Sequence, residues 1–402
     1  MKAIPYGRQD ITQADIDAVT TVLQSDYLTQ GPEIKAFEDA FAAYIGAKYA
    51  VAVSNGTAAL HLAALALNVQ PGDKVITTPI TFAASANCIR YCGGEVVFAD
   101  IDPDTFLLDI NKVRALLEQH PKGTFKGIVP VDFGGYPVDM EAFRKLADEY
   151  NLWIIEDACH APGAWFTDSK GSIHSAGNGV YADLAIYSFH PVKHIAAGEG
   201  GMITTNSDML YEKLLKLRTH GITKNAADFS NPSALAAGIT TVNEHTFPGW
   251  YMEMQELGFN YRLTDFQAAL GLSQLKRADA GFKRRQEIAK AYDVAFKHHN
   301  KVQIQELQLK DLDFAHAYHL YVIKVADRLG LYNYLKTKNI YAQVHYFPAH
   351  LMPYYRQFGW KPGDFPHAES YYNECLSLPM YPTLTADEQK YVIDEINNYL
   401  SL

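Results

Sequence analysis

The sequence has few cysteines, and they are not arranged as a metal site or a disulfide framework. Its 402 residues include only four, Cys88, Cys92, Cys159 and Cys375. They form no C-x-x-C pair, the spacing typical of zinc ligands, and they are too sparse to stabilise a small secreted domain. We therefore expect reduced thiols, no bound metal and a cytoplasmic location.

Long apolar runs and leader-like segments are lacking as well. No run of about 18 apolar residues is present, so we expect no transmembrane helix and no membrane partner. Residues 1–6 lack the apolar region of a signal peptide. Both observations agree with the expected cytoplasmic location.

The chain also lacks a Lys/Arg-rich run, and 35 basic against 45 acidic residues give it a formal net charge of −10. We therefore expect no nucleic-acid partner. The sequence has no G-x-G-x-x-G and no G-x-x-x-x-G-K-[ST] segment, which disfavours dinucleotide-binding and P-loop proteins. What is present is ordinary globular composition, 48% hydrophobic and 20% charged, at a length that predicts two domains.

Strand and helix signals alternate through about the first 205 residues. Short apolar runs such as Tyr49–Val53 and Gly201–Thr205 are separated by segments rich in helix formers. This alternation predicts an α/β fold with a mostly parallel sheet between helices. A strongly helical stretch at 263–299 and strands near 319–325 and 342–347 follow. We therefore place a large domain at residues 1–275 and a smaller α+β domain at residues 276–402.

Four short groups follow predicted strands, where parallel sheets place their ligands. They are residues 54–57, 81–82, 157–160 and 188–193. In the first group, Gly56 allows the backbone to approach a ligand closely. The helix N-terminus and the Thr57 hydroxyl suit a phosphate. An ordinary helix N-cap explains the same segment equally well, so both interpretations stay open.

The other groups carry a carboxylate, an imidazole, an aromatic ring and a hydroxyl. Asp157 ends a predicted strand, where a carboxylate can pair with a protonated pyridine nitrogen, although a turn aspartate is the structural alternative. His160 can contact an oxygen of a bound cofactor, or it can be a structural histidine whose hydrogen bonds are made within the protein. Phe82 can stack on a ring or simply pack, and Ser188 offers a second hydroxyl to a phosphate.

Lys193 lies between a predicted strand and a glycine-rich turn. A primary amine held there among Ser, His and Gly can form a Schiff base with the aldehyde of pyridoxal phosphate (PLP), if some of it stays unprotonated. The structural alternative is a surface lysine in a loop.

Taken in order, these motifs resemble the DegT/StrS-type sugar aminotransferases, PLP enzymes of aminotransferase fold type I. The resemblance implies that Lys193 carries PLP, Asp157 binds the pyridine nitrogen and Phe82 stacks on the ring. It rests on residues 54–57, Phe82, 156–158, 188–190, 193–201 and 257–265, the last including Asn260-Tyr261-Arg262. It also implies the cofactor-binding set Gly56, Thr57, Phe82, Asp157, His160, Ser188, Lys193 and Asn260.

Two implications concern the surroundings of the cofactor. Asn260 resembles the family asparagine that reaches the phosphate of the partner subunit's cofactor, which implies a homodimer. His160 stands where many members have glutamine, so its contact with the cofactor oxygen is a departure from the pattern. Arg262 and Arg328 are candidates for the carboxylate of the amino donor.

Within the family, residues 28–31, 188–190 and 343–346 resemble the aminotransferases of pseudaminic acid synthesis. This implies a UDP-linked 4-keto-6-deoxy-N-acetylhexosamine as acceptor and L-glutamate as amino donor. The implied substrate-side residues are Tyr6, Asp26, Tyr27, Leu28, Thr29, Gly56, Ser188, His190, Gln343, Val344, His345 and Tyr346. Asp26 and Tyr27 are less typical, and the 222–256 loop is long for the family.

Three rival interpretations remain. The first is an aminotransferase for another nucleotide-linked 3- or 4-ketosugar, which carries dTDP, GDP or UDP with a D-xylo sugar, and residues 343–346 disfavour it. The second is a PLP-dependent sugar dehydratase, and the third is a non-catalytic regulator with the same fold. Lys193 argues against both of these, because related dehydratases carry histidine at that position and a regulator has no need of the amine.

Overall fold

The structure, a computed structural model, describes residues 3–238, 247–307 and 312–401. In chain order, the first half contains β1 (Ile4–Pro5), α1 (Gln13–Leu23), α2 (Pro32–Ile45), β2 (Tyr49–Val53), α3 (Gly56–Ala66), β3 (Lys74–Thr77), α4 (Ala84–Tyr91), β4 (Glu95–Phe98), α5 (Ile110–Glu118), β5 (Phe125–Val129), a 3₁₀ helix (Phe133–Gly135), α6 (Met140–Tyr150), β6 (Trp153–Asp157), β7 (Trp165–Thr167), β8 (Ile173–Ser175), β9 (Leu184–Ser188), β10 (Gly201–Thr205) and α7 (Asp208–Arg218).

The second half has shorter strands and longer helices. It contains β11 (Ile222–Thr223), a 3₁₀ helix (Ala226–Asp228), α8 (Ser233–Ala237), β12 (Glu253–Met254), α9 (Asp265–Leu275), α10 (Ala278–Phe296), β13 (Gln303–Ile304), β14 (Phe314–Ala315), β15 (Tyr321–Lys324), α11 (Arg328–Thr337), β16 (Ile340–Tyr341), a 3₁₀ helix (Ala349–Leu351), α12 (Pro353–Arg356), α13 (Pro366–Glu374), β17 (Cys375–Leu378) and α14 (Ala386–Leu400).

A seven-stranded sheet, in the order β2-β10-β9-β6-β5-β3-β4, forms the centre of the fold. The five strands from β9 to β4 run parallel to their neighbours, whereas β10 is antiparallel to both β9 and β2. The strands are nearly continuous apolar runs, as in β2, where only Tyr49 is partly exposed. Such burial on both faces requires helices on both sides, and the predicted α/β fold is confirmed.

Helix α3 sits against this sheet and begins at the edge where several strands end. Nine of its eleven residues are buried, most of them alanine or leucine. The Asn55 side chain caps the helix by accepting a hydrogen bond from the Ala58 N–H at 2.8 Å. The small side chains let the helix lie close to the sheet, which holds its N-terminus in one place.

The C-terminal elements build a second hydrophobic core around the antiparallel sheet β13-β15-β17. Ile4 belongs to this core because β1 pairs in parallel with β16. Chain segments far apart in sequence are therefore joined here. The domain division at residue 275 stays a prediction.

Two of the predicted elements are wrong in detail. The helical stretch at 263–299 is broken between α9 and α10, where the Arg277 guanidinium binds the buried Asp15 carboxylate at 2.6 Å. The predicted strand at 342–347 is absent, because after one bridge between Gln343 and Ser377 the chain leaves the sheet edge. The alternating burial there reflects a loop that sends His345 inward.

The 222–256 loop has local structure in the part that the structure describes. Its hub is Glu253, a buried carboxylate that accepts hydrogen bonds from the Ser230 and Asn231 N–H groups and from the Tyr251 hydroxyl. Trp250 is 78% exposed, and residues 239–246 lie outside the described residues. No helix in the described ranges is long and apolar enough to span a membrane.

Candidate active site

A cavity of about 1190 Å³ opens where the carboxyl ends of β6 and β9 meet the N-terminus of α3. Most of the residues predicted from the sequence line this one cavity. They are Tyr6, Gly56, Thr57, Phe82, Asp157, His160, Ser188, His190, Lys193, His345 and Tyr346. The topology brings them together because parallel strands end at the same sheet edge.

Asp157 is held at the end of β6 with its carboxylate toward the cavity. The Ser85 hydroxyl donates to one carboxylate oxygen at 2.6 Å, and the Cys159 N–H donates to the other at 3.2 Å. The Thr81 and Ser85 hydroxyls are also bonded to each other, at 2.7 Å. Strand alternation turns Glu156 the other way, where it accepts the Gly177 N–H at 2.8 Å. Asp157 is therefore an oriented anion suited to a ring N–H cation.

Lys193 lies in the turn after β9, where its own N–H donates to the His190 carbonyl at 2.8 Å. Removal from water lowers the pKa of the Lys193 amine, and the cation of Arg285 acts in the same direction. Asp157 and Cys159 oppose this shift. A lowered pKa leaves more of the amine neutral, which is the form that reacts with an aldehyde.

The α3 N-terminus and Ser188 form a small polar cradle. A Cβ placed on Gly56 would lie 3.1 Å from the Ser188 Cβ, so a side chain there would crowd the cradle. Gly201 is equally constrained, since a Cβ there would lie 2.5 Å from the Asn55 carbonyl oxygen. Free helix N–H groups beside the Thr57 and Ser188 hydroxyls suit a phosphate.

His160 is buried behind the cavity and held in one tautomer. The Gly134 N–H donates to His160 Nδ1 at 3.2 Å, so in the neutral ring Nε2 carries the proton. That nitrogen lies 3.4 Å from the Tyr346 hydroxyl. Burial, followed by the charge of Lys193, holds the pKa of His160 well below its usual range. The ring can thus donate one hydrogen bond without adding charge.

Tyr6, His345 and Tyr346 form the wall opposite Phe82. His345 Nδ1 lies 2.8 Å from the Ser377 hydroxyl, and burial lowers the pKa of His345 to about 3. The Tyr6 and His345 rings are 5.3 Å apart. Phe82 is 61% exposed and lies 6.2 Å from Tyr346, so its ring faces the open cavity instead of the core.

Seven of the predicted residues do not line the cavity of their own chain. They are Asp26, Tyr27, Leu28, Thr29, Asn260, Gln343 and Val344. Two of them form isolated bridges with other segments, Thr29 with Thr264 and Asn260 with Thr219. Arg262 and Arg328 are also outside the cavity.

The structure adds site residues that the sequence analysis missed. Ser85 lies in the first turn of α4, and the i, i+4 spacing of Thr81 and Ser85 is the signal in the sequence for a hydroxyl pair at a helix start. Cys159 and His319 also line the cavity. Nothing in the sequence near His319 distinguishes it from a histidine that precedes an apolar strand.

The chemistry of this cavity fits one cofactor closely. PLP combines an aldehyde, a pyridine nitrogen and a phosphate, and the cavity offers an amine, an anchored carboxylate and a cradle for an anion within one space. The fit depends on the bonded orientation of Asp157 and on the absence of a side chain at Gly56. The fold and the cavity together define a PLP-dependent aminotransferase of fold type I.

Comparison with known proteins agrees with this class. The model of the DegT/DnrJ/EryC1/StrS aminotransferase family matches residues 9–397, and the chain belongs to this family. The predicted family, the enzyme class and the PLP cofactor are confirmed.

Individual relatives extend over nearly the whole chain. The spore coat polysaccharide biosynthesis protein SpsC of Bacillus subtilis is 40% identical, over 98% of this chain and 96% of its own. UDP-4-amino-4,6-dideoxy-N-acetyl-beta-L-altrosamine transaminase of Campylobacter jejuni is 35% identical, over 99% and 97%. The structure of Helicobacter pylori PseC, an aminotransferase involved in the biosynthesis of pseudoaminic acid, is 30% identical, with a TM-score of 0.84 over 100% of both chains.

Proposed function

We propose that the protein transfers an amino group from L-glutamate to C4 of UDP-2-acetamido-2,6-dideoxy-β-L-arabino-hex-4-ulose. The product is UDP-4-amino-4,6-dideoxy-N-acetyl-β-L-altrosamine, in pseudaminic acid biosynthesis. The observation that carries the proposal is full-length similarity to two proteins, one by sequence that is named as the transaminase for this amino sugar, and one by structure that is named for the biosynthesis of pseudoaminic acid. The cavity wall of Tyr6, His345 and Tyr346 supplies polar aromatic groups suited to a sugar.

The roles proposed for the site residues follow from their positions. Bound PLP supplies an aldehyde for the incoming amine and an electron sink for the carbon next to it. Lys193 would hold that aldehyde, and when its amine is free it would take a proton from the α-carbon of the donor and deliver one to C4 of the sugar. Asp157 would hold the proton on the pyridine nitrogen, and Thr57 and Ser188 would hold the phosphate. Phe82 would stack on the ring, and His160 would donate a hydrogen bond to its phenolic oxygen.

Donor and acceptor use the same cavity in turn. Lys193 is the one lysine that lines the cavity among the described residues, so both substrates must place their reacting carbon beside the same amine. The lowered pKa of Lys193 serves both halves of the reaction, since the amine must be neutral to accept a proton.

We propose a cytoplasmic homodimer in which Asn260 reaches the partner subunit's cofactor phosphate. Asn260 is exposed and does not line the cavity of its own chain. Residues Asp26 to Thr29 are also exposed, and the Thr29–Thr264 bridge brings them to a residue four positions after Asn260. We also propose Gln343 and Val344 as substrate-side residues, and the domain division at residue 275.

A second candidate has an observation of its own. SpsC, at 40% identity, is named for spore coat polysaccharide biosynthesis instead of pseudaminic acid. An aminotransferase for another nucleotide-linked ketosugar would use the same Lys193 and Asp157 chemistry and differ only in the sugar it accepts.

A ketosugar panel tests the proposal. Purified protein receives PLP, L-glutamate and UDP-, dTDP- or GDP-linked 4-keto-6-deoxy sugars, and 2-oxoglutarate release is followed, with Lys193→Ala as the inactive control. We expect turnover with the UDP-linked β-L-arabino ketosugar. Preference for its D-xylo epimer or for a dTDP sugar would support the second candidate. No release with any sugar, while PLP is bound, would contradict both.

A further inference from the structure

The amino donor proposed here carries two carboxylates, yet no arginine lines the cavity in the described part of the chain. Arg262 and Arg328, the candidates from the sequence, do not line the cavity of their own chain, and Arg262 lies two residues from Asn260, which we place at the partner's site. The groups that can donate a hydrogen bond to an anion within the cavity are the Lys193 amine, hydroxyls and several histidines. One of these histidines differs from the others.

His319 lines the cavity although it is only 5% exposed. Its Nδ1 is buried without a hydrogen-bond partner, and no hydrogen bond of either ring nitrogen is found within the described residues. The other buried cavity histidines are bonded, His61 to the Tyr261 hydroxyl, His160 to the Gly134 N–H and His345 to the Ser377 hydroxyl. Because Nδ1 of His319 is shut off from the cavity, a ligand there can reach the ring only at Nε2, which also has no partner in the described residues.

The second observation is a buried cation directly behind His319. Arg285 is 2% exposed, and its Nη1 donates to the carbonyls of Tyr318 and Met380 at 3.0 Å and of His319 at 3.5 Å. No ion pair of Arg285 with a carboxylate occurs in the described ranges. Burial lowers the pKa of Arg285 to about 10, which leaves it charged at neutral pH.

Arg285 places a buried positive charge behind this side of the cavity, although the whole chain is acidic. Burial, followed by the charge of Lys193 and the His160 ring, whose centroid lies 4.3 Å away, holds the pKa of His319 well below its usual range. A neutral imidazole keeps one N–H and adds no repulsion beside Lys193. A buried uncompensated cation favours an anion more strongly than a solvated one does.

We propose that the His319 imidazole, backed by the Arg285 cation, binds a carboxylate of the amino donor. The inference rests on the proposed function, since it assigns the donor subsite of the same cavity. His319 makes the contact through a ring N–H. Arg285 acts through the electrostatic field of its charge, and it also binds the Tyr318 and His319 carbonyls, which lie on either side of the His319 Cα. Arg285 is thus a positioning residue, and His319 determines which donors bind.

The test measures donor binding without any sugar. Holoenzyme is titrated calorimetrically with glutarate, a five-carbon dicarboxylate that lacks the amine, and the half reaction with L-glutamate is followed by the absorbance of the bound cofactor. We expect His319→Phe to weaken glutarate and raise the half-saturating glutamate concentration by about tenfold to a hundredfold, because a hydrogen bond to a charged group is lost. The half reaction with the ketosugar is followed in parallel and should lose less than the glutamate half reaction, because the sugar carries no carboxylate for His319 to bind.

Matched variants separate this role from a structural one. His319→Gln keeps an N–H donor and should recover most of the affinity, and Arg285→Lys should lie between wild type and His319→Phe. His316→Phe removes a nearby buried histidine whose ring nitrogens are bonded to the Tyr318 N–H and Gln305, and should leave glutarate binding unchanged. Comparing L-alanine with L-glutamate shows which carboxylate is bound, since only the α-carboxylate is common to both.

Two results would overturn the proposal. One is unchanged glutarate affinity in His319→Phe, and the other is a loss confined to the ketosugar half reaction. If His319→Phe does not fold, the glutarate affinities of His319→Gln and Arg285→Lys decide instead. The N–H contact would be contradicted if Arg285→Lys kept the wild-type affinity while His319→Gln lost most of it. A wrong ketosugar would leave all the donor measurements intact, so the two proposals fail separately.

Discussion

Glu156 and Asp157 are neighbouring acids on β6 that strand alternation sends into different surroundings. Asp157 reaches the cavity and is satisfied by the Ser85 hydroxyl and the Cys159 N–H. Glu156 points into the protein beside Asp132, which is also fully buried. The two carboxyl groups thus lie in separate surroundings, Asp157 at the cavity and Glu156 in the protein interior.

Asp132 and Glu156 form a buried carboxyl pair that one proton would satisfy. One oxygen of Asp132 accepts the Val138 N–H at 2.9 Å, and its other oxygen has no N–H or O–H donor in the described residues. A proton shared between the two carboxyls provides that donor. Burial, with the nearby Asp157 charge, raises the pKa of Glu156 to about 7, and burial raises the pKa of Asp132 well above its usual range.

The raised pKa of Glu156 predicts a stability that falls as the pH rises. The unfolded chain releases this proton near pH 4.5 but the folded chain holds it to about pH 7, so folding becomes less favourable across that interval and levels off above it. As the pH rises from 4.5 to about 7, the free energy of unfolding of Glu156→Gln should therefore increase by roughly 3 kcal/mol relative to that of wild type. The readout is the unfolding midpoint at several pH values, with saturating PLP.

Taking the difference between variant and wild type removes the other titrations from the comparison. The groups facing the pair include Asp157, Tyr187 and Cys159, and all remain in the variant. Removing the Glu156 carboxylate also lowers the pKa of Asp132, because Glu156 no longer repels its charge. This change adds to the expected gain in stability of the variant at higher pH. Glu118→Gln, which removes an exposed carboxyl, controls for the charge change alone. A pH-independent difference for Glu156→Gln would show that no proton is held between the two acids.

Helices α2 and α7 are joined through the edge of the central sheet by one buried ion pair. The Arg218 guanidinium donates to the Glu38 carboxylate at 2.5 Å and to the Ala52 carbonyl at 2.8 Å, and the same carboxylate oxygen accepts the Ala52 N–H at 2.9 Å. The side chains of Glu38 and Arg218 are only 4% and 14% exposed. The pair satisfies the edge of β2, which leads directly into the cradle at Gly56.

Arg218→Met should cost about 3–5 kcal/mol of unfolding free energy, because it leaves the Glu38 carboxylate buried without its cation. Chemical denaturation monitored by circular dichroism checks this. Adding Glu38→Gln should restore part of the loss, since the neutral amide no longer needs a cation. Arg114→Met, which breaks an exposed pair with Glu149, should change little. If Arg218→Met were as mild as Arg114→Met, the pair would not hold these elements together.

The strands and helices that a sequence can predict are those whose own residues determine them. Strands β2 and β10 match the predicted apolar runs because each is buried on both faces. The predicted strand at 342–347 is wrong because pairing depends on a partner edge, which is available only at Gln343. Lys193 and Asp157 could be predicted from motifs at strand ends. The roles proposed for His319 and Arg285 could not be predicted, because they depend on burial and on unpaired polar atoms that are visible only in the folded chain.

The surroundings of Asn260 bear on the quaternary structure that we expect for the protein. The cavity of one chain contains the Lys193 amine and the α3 cradle but not Asn260. Three residues before Asn260 lies Leu257, which is 77% exposed, and four residues after it Thr264 bridges to Thr29. A polar residue that does not line the cavity of its own chain, near an exposed apolar side chain, is consistent with an interface between copies. In the homodimer that we propose, each complete site would require two chains.

Hybrid dimers test this arrangement directly. Chains carrying Lys193→Ala and Asn260→Ala are co-expressed with different tags, and dimers holding one of each are isolated by tandem purification. If Asn260 serves the partner's cavity, the chain with intact Lys193 receives a wild-type Asn260, so about half of the wild-type activity per dimer should return. A hybrid of wild type with Lys193→Ala sets that half-active scale. If Asn260 acts within its own chain, the mixed dimer would stay at the residual level of the Asn260→Ala homodimer, because no chain would then combine both groups.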